Sequence, residues 1–246
     1  MRFRRSPVPP KDLRFMGESE QEFTAIGDAM VERFGQVVDL RAVQCVVDIG
    51  CGYGRIGAAL RRSRSFRGRY HGFDMLRRHL EWCNAELGGR RFRYHFVDIH
   101  SERYNPSGTL RQSEMRFDLP DGSAVLIILT SVFTHMYPDD VTHYLHECRR
   151  LLAPDGRVYA TFFIMNDQQA SRPNRYPLEH ELTPFCRYMS EDEPLHVIAY
   201  GEEWLRGQFA AAGLEPVGGI RFGSWSGEPE AFDFQDTVVL AGRSSK

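Results

Sequence analysis

Three short runs in this chain each close on an aspartate: Cys45-Val46-Val47-Asp48, Tyr70-His71-Gly72-Phe73-Asp74 and Tyr94-His95-Phe96-Val97-Asp98. The first continues as Ile49-Gly50-Cys51-Gly52-Tyr53-Gly54-Arg55-Ile56-Gly57, with glycine at every second position, before the pattern becomes helical. A strand, a tight glycine turn and a helix bring backbone N–H groups and a helix N-terminus against a ligand. Two ligand classes use that geometry. Gly52-x-Gly54-x-x-Gly57 has the spacing that holds the diphosphate of a nicotinamide dinucleotide, as an oxidoreductase would need. Asp48-x-Gly50-x-Gly52-x-Gly54 instead sets a carboxylate just before the turn, where it repels a diphosphate and attracts a cation. Asp74, 24 residues beyond Gly50, stands where this geometry calls for a ribose-binding carboxylate.

His135 is the first candidate for a general base, because it follows an apolar strand and titrates near neutrality. The plainer alternative is a histidine hydrogen-bonded beside the next helix. Asp139, Asp140 and His143 raise the question of a divalent metal. Acids in the first turn of a helix account for the two aspartates more simply, and no metal site is expected. Tyr53, Tyr176 and Trp225 are tentative substrate contacts, since aromatic rings stack on sugars; packing and loop anchoring are the alternatives. Arg55 is placed to reach a ligand carboxylate or to lie on the helix surface. Arg61, Arg62, Arg64, Arg67 and Arg69 read as a solvated helix end rather than a phosphate footprint.

A chain of 246 residues with net charge −2 suits one domain with a sizeable core, and offers no global attraction for nucleic acid or an anionic membrane. Five cysteines without a C-x-x-C pair suggest reduced, mostly buried thiols and a cytoplasmic setting. Residues 1–10 are basic and proline-rich but lack the apolar stretch of a signal peptide. The longest apolar run, 124–133, is far short of the ~20 residues a spanning helix needs. Neither nucleic acid nor a membrane is therefore expected as a partner; oligomeric state is not written in the sequence.

The elements that must position these residues follow from periodicity. Residues 18–40 carry Phe23, Ile26, Met30, Phe34 and Val37 at helical spacing, and residues 13–17 are placed to fold over the ligand. Strands are expected at 45–49, 69–74, 92–97, 124–130, 157–164, 214–220 and 236–241, and helices at 55–64, 76–87, 139–152 and 202–212. The continuous apolar run 124–130 suits the centre of a parallel sheet covered on both faces. Acids ending successive parallel strands gather at the carboxyl edge, where ligands of open α/β sheets bind. Residues 100–122 read as a polar surface connection, and 166–194 as a lid or substrate loop. The organisation expected is an N-terminal arm over 1–17 and a single domain over 18–246.

Beyond the glycine turn, Gly72-Phe73-Asp74-Met75, Val97-Asp98-Ile99, Ser131-Val132-Phe133-Thr134-His135-Met136, Leu151-Leu152-Ala153-Pro154-Asp155-Gly156-Arg157 and Phe234-Gln235-Asp236 stand in the order of another pattern. With Asp48-x-Gly50-x-Gly52-x-Gly54 they resemble the class I S-adenosylmethionine-dependent methyltransferases, in particular a bacterial branch acting on small molecules or glycans. The likeness covers about residues 13–242 and departs only at Ala153-Pro154-Asp155-Gly156, where that family usually has Pro-Gly-Gly. It implies a Rossmann-like, three-layer α/β fold with a doubly wound, mostly parallel seven-stranded sheet and an antiparallel last strand. It implies S-adenosylmethionine as cofactor, an ammonium and sulfonium ligand with no phosphate. Asp48 and the turn Gly50, Cys51, Gly52, Gly54 with Arg55 would then hold the methionine end. Asp74 would take the ribose hydroxyls, Met75 would flank the purine, Asp98 and the Ile99 N–H would meet the adenine, and Thr130 and Ser131 would border the methionine. O-methylation with His135 as base is the activity expected; N- or S-methylation and the dinucleotide oxidoreductase are the alternatives.

Overall fold

The computed structural model describes residues 7–14, 19–167, 175–229 and 231–243. The cover expected from 15–17, the first six residues of the arm and residues 168–174 of the expected lid lie outside them. Seven strands form the central sheet: β1 (Cys45–Ile49), β2 (Arg69–Asp74), β3 (Phe92–Phe96), β4 (Ala124–Leu129), β5 (Leu152–Phe162), β10 (Leu214–Arg221) and β11 (Asp236–Gly242). Their spatial order is β10-β11-β5-β4-β1-β2-β3. β11 pairs antiparallel with both β5 and β10, while the other pairings are parallel. The order reverses between β1 and β4, and that switch point opens a crevice at the carboxyl ends of the strands.

Both faces of the sheet are covered, which is why β1 and β4 are apolar almost without interruption. On one face Val47, Ile49, Ile127 and Leu129 pack against α4 (Pro138–Leu151) and α5 (Glu202–Ala211). On the other, Val46, Leu126, Ile128 and Tyr70 pack against α1 (Glu20–Gly35), α2 (Arg55–Arg62) and α3 (Arg77–Glu86). α1 begins at a capping box: the Glu22 N–H donates to Ser19 Oγ at 3.1 Å and the Ser19 N–H to Glu22 Oε2 at 2.7 Å. All five cysteines are free and buried. Among the described residues no helix is long and apolar enough to cross a membrane.

Two connections differ from expectation. The polar stretch 100–122 is no simple surface loop, for Met115 and Phe117 are buried against α4. A buried pair clasps them there: Glu147 accepts the Phe117 N–H at 3.1 Å, while Arg150 donates to the Phe117 and Leu119 carbonyls at 2.9 and 3.0 Å. Within the long loop of 166–194, β7 (His180–Thr183) and β8 (Cys186–Tyr188) form instead a second sheet with β6 (Ile164–Met165) and β9 (Ile198–Gly201), in the order β6-β9-β8-β7. Phe163, Val197, Ala199 and Trp225 make a separate apolar cluster beside it. Of the arm, Leu13 is buried, and its carbonyl accepts from His79 Nε2 on α3 at 3.0 Å.

Candidate functional site

The turn after β1 bends through three left-handed glycines, Gly50 (φ 75°), Gly52 (φ 53°) and Gly54 (φ 78°), and the last caps α2. Two of them lack side chains because neighbours fill the space. A Cβ on Gly50 would lie 2.5 Å from Val132 Cγ2, and one on Gly54 would lie 2.8 Å from both Cys83 Sγ and Leu87 Cδ1. Gly52 is different: among the described residues, no atom beyond its two chain neighbours lies within 4 Å of where its Cβ would be. The turn is thus packed closely on its flanks and open at its middle.

Its N–H groups are already engaged. Gly50 and Cys51 both donate to the Phe73 carbonyl, at 2.8 and 3.1 Å, Gly52 donates to Asp74 Oδ2 at 2.7 Å, and Gly54 donates to the Cys51 carbonyl at 3.0 Å. A diphosphate needs such donors free. Here they close on the protein, with Asp48 and Asp74 beside them. The turn is a poor cradle for phosphate and a suitable neighbour for a cation.

Asp48 is 1% exposed, accepts from the Tyr70 hydroxyl at Oδ2 (2.5 Å), and has no hydrogen-bond partner at Oδ1 among the described residues. Burial pushes its carboxyl up to about 7, the Tyr70 hydrogen bond pulls it down, and the charge of Asp74 adds to the rise. Asp74 accepts from the Leu76 N–H at 2.9 Å as well as from Gly52, and burial raises its pKa against those two donors. Each of its oxygens keeps capacity for another donor. Asp98 accepts from Thr109 Oγ1 at 2.8 Å and from Asn105 Nδ2 at 3.4 Å, and the Thr109 bond holds its pKa low. The bridge between Ile99 and Leu110 uses the His100 N–H and the Asp98 carbonyl, and so leaves the Ile99 N–H out of its ladder.

A cleft of about 400 Å³ runs along this edge, lined by Met75, Arg77, His79, Phe96, Asp98 and Tyr104 among others. Arg77 sits over the Phe96 ring, 3.7 Å from its centroid. On the other side of β1, Thr130 is half-buried at the end of β4 and Ser131 is exposed, with φ 55°, a left-handed conformation rare outside glycine. Ser131 holds it with two bonds: its N–H donates to Thr161 Oγ1 at 2.8 Å and its hydroxyl to Gln235 Oε1 at 3.0 Å.

His135 lies in a short 3-10 turn after β4. Its Nδ1 is 2.8 Å from the Leu195 carbonyl, which places the proton on Nδ1 and the lone pair on Nε2. The Tyr104 ring meets the imidazole edge-on at 5.8 Å. Burial lowers the pKa of His135, Arg103 and His196 lower it further, and the Leu195 bond opposes them. The ring is neutral at pH 7.

The three tentative substrate aromatics occupy packed positions. Tyr53 is 5% exposed, takes a 2.5 Å bond from Arg55 Nη2, and packs near Phe23 and His79. Trp225 is 1% exposed and donates Nε1–H to Asp236 Oδ2 at 2.7 Å. The same carboxyl accepts the Ile164 N–H at 2.6 Å and the Gly223 N–H at 2.7 Å. Tyr176 is half-buried against Phe163 and Phe234. Tyr70, Tyr104, Thr161, Leu195 and Gln235 belong to the site without having been singled out from the sequence. Only Tyr70 left a signal there, since it shares a strand face with Asp74.

Residues 47–160 match a methyltransferase domain family. Solved structures match over most of the chain. A 1,6-didemethyltoxoflavin N1-methyltransferase of Burkholderia thailandensis, bound to 1,6-didemethyltoxoflavin and S-adenosylhomocysteine, is 16% identical, with 92% of this chain and 80% of that one covered and a TM-score of 0.57. The PH0226 protein of Pyrococcus horikoshii OT3 is 12% identical, with 92% and 93% covered and a TM-score of 0.60. An O-methyltransferase family protein of Burkholderia thailandensis is 19% identical, with 93% and 61% covered and a TM-score of 0.51. At such identities the likeness is one of fold.

Proposed function

We propose that this chain, a class I S-adenosylmethionine-dependent methyltransferase, methylates a hydroxyl group on a small metabolite or glycan, with His135 as general base. The cofactor's chemistry is an activated methyl group on a sulfonium. The residues present fit it, with an open place at Gly52, an unpartnered buried oxygen on Asp48, and spare acceptor capacity on Asp74 beside the cleft. In this reading Asp74 and Asp98 bind the nucleoside end, and Asp48 with the turn from Gly50 to Gly54 faces the cationic end. Thr130 and Ser131 close the opposite wall. Much of the rate then comes from holding the acceptor oxygen in line with the methyl carbon, an effect worth ~7–11 kcal/mol in well-oriented reactions.

The observation that carries the hydroxyl reading is the state of His135. Its Nδ1 is fixed on the Leu195 carbonyl, so Nε2 keeps a lone pair to take the acceptor's proton. Burial keeps the ring neutral, as a base must be. An amine or thiolate acceptor can react without that step. Of the three aromatics, Tyr176 has the most exposed surface to offer an acceptor, while Tyr53 and Trp225 are buried. Domain limits of 18–246 with an arm over 1–17, and a cytoplasmic location, belong to the same proposal. Purified protein mixed with S-adenosylmethionine and a cellular metabolite pool tests it. Release of S-adenosylhomocysteine that depends on His135 and yields an O-methyl product is expected. An N- or S-methyl product, or turnover indifferent to His135, overturns the hydroxyl reading.

A further inference from the structure

Arg103 lies in the connection after β3 and joins two parts of the molecule that are far apart in sequence. Its Nη1 donates to Glu193 Oε2 at 2.7 Å and lies 3.1 Å from His196 Nδ1; Glu193 and His196 themselves meet at 3.2 Å. Glu193 and His196 bracket the Pro194–His196 turn, and Leu195 in that turn supplies the carbonyl on His135 Nδ1. The Arg103 guanidinium also lies 5.4 Å from the ring of Tyr104, the residue set edge-on against His135. The same loop is pinned to the nucleoside edge of the cleft, where Asn105 Nδ2 donates to the Ile99 carbonyl at 2.9 Å and Thr109 to Asp98.

We infer that Arg103 is a positioning residue: by bridging the loop after β3 to the Pro194–His196 turn, it holds the Leu195 carbonyl and the Tyr104 ring against the His135 imidazole. The inference rests on the reading of His135 as base for its catalytic meaning, though not for its geometry. Stability does not explain the pair, because the side chains of Arg103 and Glu193 are 28% and 57% exposed, and such surface pairs contribute little. The guanidinium suits the task, since it is always charged and its Nη1 reaches the Glu193 carboxylate while lying beside His196. Around the imidazole stand the Tyr104 ring and Arg103 from the loop and His196 from the turn, with Glu193 behind them on Arg103 and His196. Arg103 and His196 both disfavour the imidazolium.

The test uses the full chain with Arg103→Met, Arg103→Lys and Glu193→Gln, each checked by thermal melting, and reads the His135 ring by nitrogen-resolved NMR, with His135→Gln to assign it. Wild type is expected as the Nδ1–H tautomer. Arg103→Met is expected to shift the ring toward the Nε2–H form, and to lower kcat about tenfold while the Kd for S-adenosylmethionine changes less than about twofold. Glu193→Gln should do the same more weakly, and Arg103→Lys should restore part of the wild-type tautomer. A His135 tautomer unchanged in both Arg103→Met and Glu193→Gln overturns the inference. A shifted tautomer upholds it even where His135→Gln turns over at the wild-type rate, a result that removes only the base reading.

Discussion

The Tyr70 hydroxyl donates to Asp48 Oδ2 at 2.5 Å, tying β2 to the end of β1 beneath the glycine turn. Both residues are buried, and among the described residues the bond is the one hydrogen bond to the Asp48 carboxyl, whose other oxygen has no partner there. Tyr70→Phe therefore strands a buried carboxyl. A loss of about 1–3 kcal/mol in urea unfolding is expected, because an unsatisfied buried acceptor loses its solvation without compensation.

The same carboxyl sets a pH dependence. Burial raises Asp48 to about 7 in the folded chain, above its unfolded value, so the folded protein holds a proton that the unfolded chain releases. Stability from this group is full below about pH 4 and is lost as pH rises through about 7. Asp48→Asn removes the ionisation. Relative to wild type, the variant should gain on the order of 4 kcal/mol between pH 4 and pH 8, as read from paired urea melts.

Asp74→Ala should weaken S-adenosylmethionine binding about ten- to a hundredfold by calorimetry, the effect of losing charge-assisted hydrogen bonds. A nicotinamide dinucleotide measured in parallel should give no binding. Retained affinity for S-adenosylmethionine would remove Asp74 from the site.

Gly52 and Gly54 separate a ligand surface from a packing surface. Gly54→Ala drives a methyl group against Cys83 and Leu87, so its expected effect is a clear fall in Tm. Gly52→Ala meets no protein atom and carries only the strain of its positive φ, about 1 kcal/mol. Its expected effect is a small change in Tm with a marked loss of cofactor affinity.

His135→Ala should lower kcat by about 10²–10⁴-fold, the range general base catalysis contributes, with cofactor affinity intact. Because the pKa of His135 lies below its ordinary value, the acid-side fall of wild-type kcat should come at a lower pH than an ordinary histidine would give.

The ligand edge was legible because parallel strands buried on both faces must be apolar, which leaves the acid after each run conspicuous. Asp48, Asp74 and Asp98 come to one edge for that reason, and α1 was readable from its period. The second sheet was not readable, since β7 and β8 span four and three residues, too few for alternation to register. Met115 and Phe117 were hidden in the same way, as two apolar positions among polar ones. Other partners are remote in sequence: Gln235 stands 104 residues from Ser131, and Leu195 is 60 from His135. Local periodicity carries no information about such pairs. Tyr53 and Trp225 show the converse limit, because an aromatic in a loop reads alike whether it faces a ligand or anchors the loop.

Asp236 gathers the Ile164 and Gly223 N–H groups and the Trp225 indole on a single carboxyl at the end of the central sheet. Two segments, one leaving at Ile164 and one turning through Trp225, share this anchor. The two segments are thereby fixed at one shared point, so sequence change between their ends need not disturb the central sheet.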